Sequence, residues 1–79
     1  MSKDARPWTV DALVRYGARR FRQAGLAFGH GTTSARDEAA WLVTHALGLP
    51  PDAAAGGEER PVGPRDARRA LTLLERRVR

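Results

Sequence analysis

Apolar residues recur at steps of three and four in three separate stretches of this chain, and nowhere do they alternate with polar residues for long enough to build a strand. That periodicity predicts an all-α fold, a small helical bundle of three main helices at about 10–24, 35–47 and 64–78, with a short helical turn near 52–55. Seventy-nine residues leave room for one apolar core and hence one domain. The chain contains no cysteine, so disulfide staples and thiolate metal sites are impossible and packing alone must hold such a bundle together.

Each helix carries its own start and stop signals. Thr9 is the expected N-cap of the first, with Trp8 just ahead of it packing on Leu13 as a hydrophobic staple. Val10, Leu13, Val14, Gly17, Ala18, Phe21 and Ala24 then share one face, and Gly25 supplies a left-handed stop. Gly17 costs about 1 kcal/mol of helix propensity relative to Ala, a cost that close contact with another helix would offset. Ser34 followed by Asp37 makes a variant capping box for the second helix, whose apolar face is Ala35, Ala39, Leu42, Val43, Ala46 and Leu47. Gly48 and Leu49 fit a Schellman stop, and Pro50 and Pro51 cannot continue the helix. The third helix opens with Pro64 and Asp66 and buries Ala67, Ala70, Leu71, Leu74 and Val78. Residues 1–7 are expected to be a disordered tail and residues 8–79 the folded domain.

Charge is distributed unevenly. The net charge is +5, and thirteen of the fourteen cations are arginine. Residues 1–33 carry +4, residues 34–63 carry −3 and residues 64–79 carry +4. Arg15, Arg19 and Arg22 on the first helix and Arg65, Arg68, Arg69 and Arg76 on the third make a candidate basic surface. Cations in the last turn of the first helix also complement its dipole, which is a purely structural reason for them. No signal-peptide core and no run long enough to span a membrane is present, so a cytoplasmic location and no membrane partner are expected.

Groups able to do chemistry are scarce, with two histidines and two serines in the whole chain. No catalytic, cofactor-binding or metal-binding residues are expected. Ser34 stands where a cap is required, and the adjacent Asp37 and Glu38, about 100° apart on a helix, favour the positive helix end rather than forming an acid and base pair. The stretch from Gly25 to Thr33 has three glycines but lacks the lysine and the preceding strand of a nucleotide loop. It is expected to be an ordered loop in which Leu26 and Phe28 plug the core. Trp41 projects from the polar arc of the second helix, among Asp37, Glu38, Thr44 and His45. Packing beneath the Phe28 loop or the 52–62 segment is expected for it, an open interaction patch being the other reading.

Phe28-Gly29-His30-Gly31-Thr32, Asp37-Glu38-Ala39, Leu42-Val43, His45-Ala46-Leu47 and Leu49-Pro50-Pro51, together with Trp8-Thr9-Val10 and Ala24-Gly25-Leu26, resemble the amino-terminal domain of one enzyme family. It is the PrmB-type protein-glutamine N-methyltransferases, related to the HemK/PrmC enzymes, and the likeness spans about residues 8–79. The resemblance implies a helical substrate-recognition domain ahead of a Rossmann-like domain that binds S-adenosylmethionine. There an Asn-Pro-Pro-Tyr motif would orient the glutamine amide of a large-subunit ribosomal protein. This chain has no Asn, so the motif, the cofactor site and the catalytic domain are expected to lie outside it, and the third helix runs amphipathic to Arg79 as if cut from a longer protein. The resemblance makes Phe28, Gly29, His30, Gly31, Thr32, Asp37, Glu38, Trp41 and His45 candidates for contact with the substrate or with the parent's own catalytic domain, and the arginines candidates for ribosomal RNA or for acidic patches of that catalytic domain. Two other classes compete with this reading. One is a nucleic-acid-binding module gripping phosphates through the first and third helices. It cannot be a helix-turn-helix, because about nine residues separate the first two helices where that motif allows three or four. The other is a plain structural cap.

Overall fold

A computed structural model of the protein describes residues 8–26, 34–54 and 60–79. The elements run β1 (Trp8–Thr9), α1 (Val10–Gln23), α2 (Ala35–Leu47), a 3-10 turn (Pro51–Ala54), β2 (Pro61–Val62) and α3 (Pro64–Val78). Each helix packs against the other two. The core is built from Val10, Leu13, Val14, Ala18 and Phe21 of α1, Ala35, Ala39, Leu42, Val43 and Ala46 of α2, and Ala67, Ala70 and Leu74 of α3, with Val62 closing one end. The three-helix architecture expected from periodicity is therefore the observed one.

Local chemistry accounts for the helix ends. The Thr9 hydroxyl accepts from the Ala12 amide at 3.0 Å, and the Ser34 hydroxyl accepts from the Asp37 amide at 3.1 Å. At the other end of α1 the Leu26 amide donates to the Phe21 carbonyl at 3.2 Å and the Gly25 amide to that of Arg22 at 3.1 Å. α2 repeats the pattern, with Leu49 donating to Thr44 at 2.9 Å and Gly48 to His45 at 3.2 Å. Both stops are Schellman motifs, and both need the φ of +70° that Gly25 and Gly48 adopt and side-chain-bearing residues resist.

Four details depart from the sequence reading. A two-residue antiparallel ladder joins β1 to β2, pairing Trp8 with Val62 and Thr9 with Pro61, although no strand was expected. Two residues are too few for alternation to register, and Pro61, which has no amide proton to donate, is confined to such an edge. Ala24 is exposed, because α1 ends at Gln23 and Ala24 already belongs to the turn. Leu71 and Val78 are half-buried, whereas Ala67, Ala70 and Leu74 are buried, so the stripe that α3 sends into the core is narrower than expected. Thr44, assigned to the polar arc of α2, is buried; its hydroxyl donates back to the Ala40 carbonyl at 2.9 Å, with the Trp41 carbonyl at 3.1 Å.

Candidate functional site

α2 carries the described part of the candidate interface. Trp41 and His45 are one turn apart on its outer face, opposite the buried Ala39, Val43 and Ala46. Their rings stack almost parallel, at 3° and a centroid distance of 5.2 Å. Trp41 is 56% exposed, the one exposed large hydrophobic among the described residues. The Phe28 loop and residues 55–59, expected to cover it, lie outside the described residues; the flat partner it finds is on its own helix. Asp37 stands exposed one turn earlier.

Glu38 behaves differently from its neighbour. Its carboxylate accepts from Arg77 of α3 at 3.0 Å, tying the start of α2 to the end of α3, so it acts as a strut between helices. Phe28, Gly29, His30, Gly31 and Thr32 lie outside the described residues.

The arginines divide between different grooves. Arg15, Arg19 and Arg22 line a cavity with Ala18 and with Arg36 of α2. Arg65, Arg68, Arg69 and Arg76 line another along α3, floored by Leu73. Asp11 is the anion that answers the first group, bonding Arg15 at 2.9 Å and Arg36 at 3.4 Å. Arg36 was not among the residues that sequence singled out, since it sits near the start of a helix where a cation opposes the dipole.

The strongest polar constellation was also missed. Glu75 of α3 accepts two bonds from the Arg20 guanidinium, from Nε and Nη2 and both at 2.8 Å, and a third from the Tyr16 hydroxyl at 2.7 Å. About a third of each charged side chain is exposed, at 32% for Arg20 and 31% for Glu75. Tyr16 in turn meets the Trp8 ring edge-on at 5.8 Å. The Arg20 fork, and then the Tyr16 hydroxyl, pull the Glu75 carboxyl down from its ordinary 4.5 to about 2. The same carboxylate raises the pKa values of Arg20 and Tyr16. This network joins α1 to α3 rather than preparing an acid or base, because every member is held in its ordinary charge state.

The linkage has a definite sign. A carboxyl with a depressed native pKa stabilises the fold fully above about 4.5 and ceases to do so as pH falls toward 2. Thermal melts between those limits should show stability declining, and Glu75→Gln should lower the melting temperature at neutral pH while flattening the acid decline. An equally steep acid decline in the variant would mean that other carboxylates govern it.

No group of His, Cys, Asp or Glu that could hold a metal ion is found among the described residues, and no described helix is long and apolar enough to cross a membrane. Protein-family models and solved structures yield no match. Curated sequences do. A 70-residue stretch covering 89% of this chain is 47% identical to a protein of Xylella fastidiosa, 42% to one of Neisseria meningitidis and 43% to one of Bordetella pertussis. All three carry one name. The chain is similar to ribosomal protein uL3 glutamine methyltransferases. It spans only 22–24% of the length of these relatives, so the likeness concerns a module of them rather than the whole. Composition and periodicity could not have reached this; the Phe28 to Thr32 and Leu49 to Pro51 patterns did.

Proposed function

We propose that the chain is the N-terminal helical module of a protein-glutamine N-methyltransferase that acts on ribosomal protein uL3, and that it recognises and orients that substrate for a separate catalytic domain. The observation that carries this is the similarity of nearly the whole chain, at up to 47% identity, to relatives more than four times its aligned length. The charge and geometry of the described cavities support the same division of labour. The cofactor of such a domain, S-adenosylmethionine, is a sulfonium cation, and arginines rim every described cavity. Like charge disfavours the cofactor there, and the chain has no Asn for an Asn-Pro-Pro-Tyr motif. On this reading methyl transfer belongs to the separate catalytic domain.

Holding the substrate away from the reacting atoms still accelerates the reaction, because it converts an encounter into an oriented, nearly unimolecular event. Trp41, stacked on His45 and projecting from α2, is the anchor of such a grip, with Asp37 one turn before it offering negative charge to a basic ribosomal protein. His30 and its glycine-flanked neighbours are the second candidate contact.

A chimera tests the reading. The matching 70 residues of the Xylella fastidiosa relative are replaced by those of this chain, and uL3 methylation is followed together with S-adenosylmethionine binding. The chimera should methylate uL3, and Trp41→Ala within it should lower kcat/KM for uL3 by about tenfold or more, the effect of an interface anchor, with cofactor binding unchanged. His30→Ala should act in the same direction. Turnover unaffected by both substitutions, or cofactor binding lost with them, would remove the recognition role.

A further inference from the structure

The cavity between α1 and the start of α2 gathers more positive charge than its neighbouring carboxylate balances. Arg15, Arg19 and Arg22 recur at four- and three-residue steps, so their side chains leave α1 along one line about 10 Å long. Arg36 faces them from α2, and Ala18, which has no side chain beyond Cβ, leaves the floor open. The open space between them is about 220 Å³. One carboxylate, Asp11, answers Arg15 and Arg36. Arg19 and Arg22 are exposed and have no carboxylate partner among the described residues. Four guanidinium groups against one carboxylate leave the cavity at +3. Such a surplus on two rigid helices attracts anions, and guanidinium forks match phosphate oxygens two at a time.

We propose that this cavity binds phosphate groups of an RNA backbone. A polymer fits better than a small free anion, because Arg15, Arg19 and Arg22 form an open line rather than a closed cup. A duplex presents one negative charge per ~1.7 Å of its axis, so a line of that length meets several phosphates at once. Guanidinium groups that meet phosphates alone carry no sequence information, so a grip confined to the backbone is independent of sequence. The choice of RNA over other polyanions rests on the proposed function, in which the substrate is a ribosomal protein; the charge surplus itself does not. The contact would hold the module beside RNA that accompanies the substrate, while the Trp41 face of α2 addresses the protein.

The experiment uses this 79-residue chain, fluorescence anisotropy and four probes: a labelled RNA duplex, a DNA duplex of equal length, vesicles of phosphatidylserine with phosphatidylcholine, and uL3 itself. The RNA duplex should bind at least as tightly as DNA, and its affinity should fall steeply between about 50 and 200 mM salt. Arg19→Gln combined with Arg22→Gln should weaken RNA binding about tenfold and flatten the salt dependence by about two, one unit for each lost phosphate contact. Because both side chains are exposed, the helical circular dichroism signal and melting temperature should hold, and uL3 binding should be unaffected. RNA affinity and salt slope unchanged in that variant, but lost on substituting Arg68 and Arg69 of α3, would overturn the site. Tighter binding to the vesicles or to DNA than to RNA would overturn the assignment of its ligand. Loss of uL3 binding alone would count against the proposed function and leave the phosphate site standing.

Discussion

Phe21→Ala should destabilise the protein by about 3–5 kcal/mol, the usual cost of emptying a fully buried aromatic position. Phe21 has no exposed surface and is the largest of the fully buried side chains, near the end of α1 where the core is formed by three helices at once. A chain of 79 residues has a total stability on the order of 4–12 kcal/mol. The substitution therefore removes a large share of it, and the variant should be partly unfolded at room temperature or melt far below the parent. Urea titration read by circular dichroism measures it. The midpoint should drop while the slope stays constant, since the surface exposed on unfolding hardly changes. A loss below about 1 kcal/mol would be too small for any buried aromatic and would contradict the packing of α1.

Gly17→Val is the second large effect, and its sign is set by a competition. Replacing a helix-interior glycine with a residue that has a Cβ gains up to about 1 kcal/mol of propensity. At this position a Cβ would come within 2.7 Å of Leu74 Cδ2 and 3.0 Å of Ala39 Cβ. Leu74 is fully buried and cannot swing its methyl into solvent, and the Cβ of Ala39 moves only if α2 moves. The helices must separate, so the overpacking term wins. Valine, with two further methyls, should lie at or beyond the upper end of the usual 1–3 kcal/mol loss. Gly17→Ala should lose less, about 1 kcal/mol net of its propensity gain. The cycle with Leu74→Ala supplies the discriminating measurement. In that background the nearer obstacle is gone, and Gly17→Ala should become neutral or stabilising. A loss of equal size in both backgrounds would show that the close approach of α3 is not what demands glycine.

These two positions show how far reading the chain goes. Phe21 was assigned to the core from spacing alone, because a buried stripe on a helix repeats at a fixed interval. Gly17 was assigned a close helix contact because a glycine in the middle of an apolar face costs propensity and needs a reason. Neither reading named Leu74 and Ala39 as the atoms in contact. Trp41 marks the opposite limit. It was recognised as out of place on a polar arc, yet its stacking on His45 of the same helix was not foreseen. A surface aromatic has several partners within reach of its side chain, and sequence does not rank them. Thr44 misled for a related reason: its hydroxyl can bond to the preceding turn of its own helix, so a polar residue can enter the core without a distant partner.

The sequence by itself determined the number of helices, their main caps and stops, most of the positions that enter the core and the resemblance to uL3 glutamine methyltransferases. All of these depend on residues within a few positions of one another or on a linear pattern. The tertiary structure alone decided that Arg20 and Tyr16 would meet Glu75, that Arg77 would meet Glu38, and that Arg36 would complete a cavity with three arginines of α1. Such meetings join residues 55 and 59 positions apart in the Glu75 network. They depend on the rotation and offset of one helix against another, quantities set by how the whole set of core side chains interlocks and not by any local run of residues.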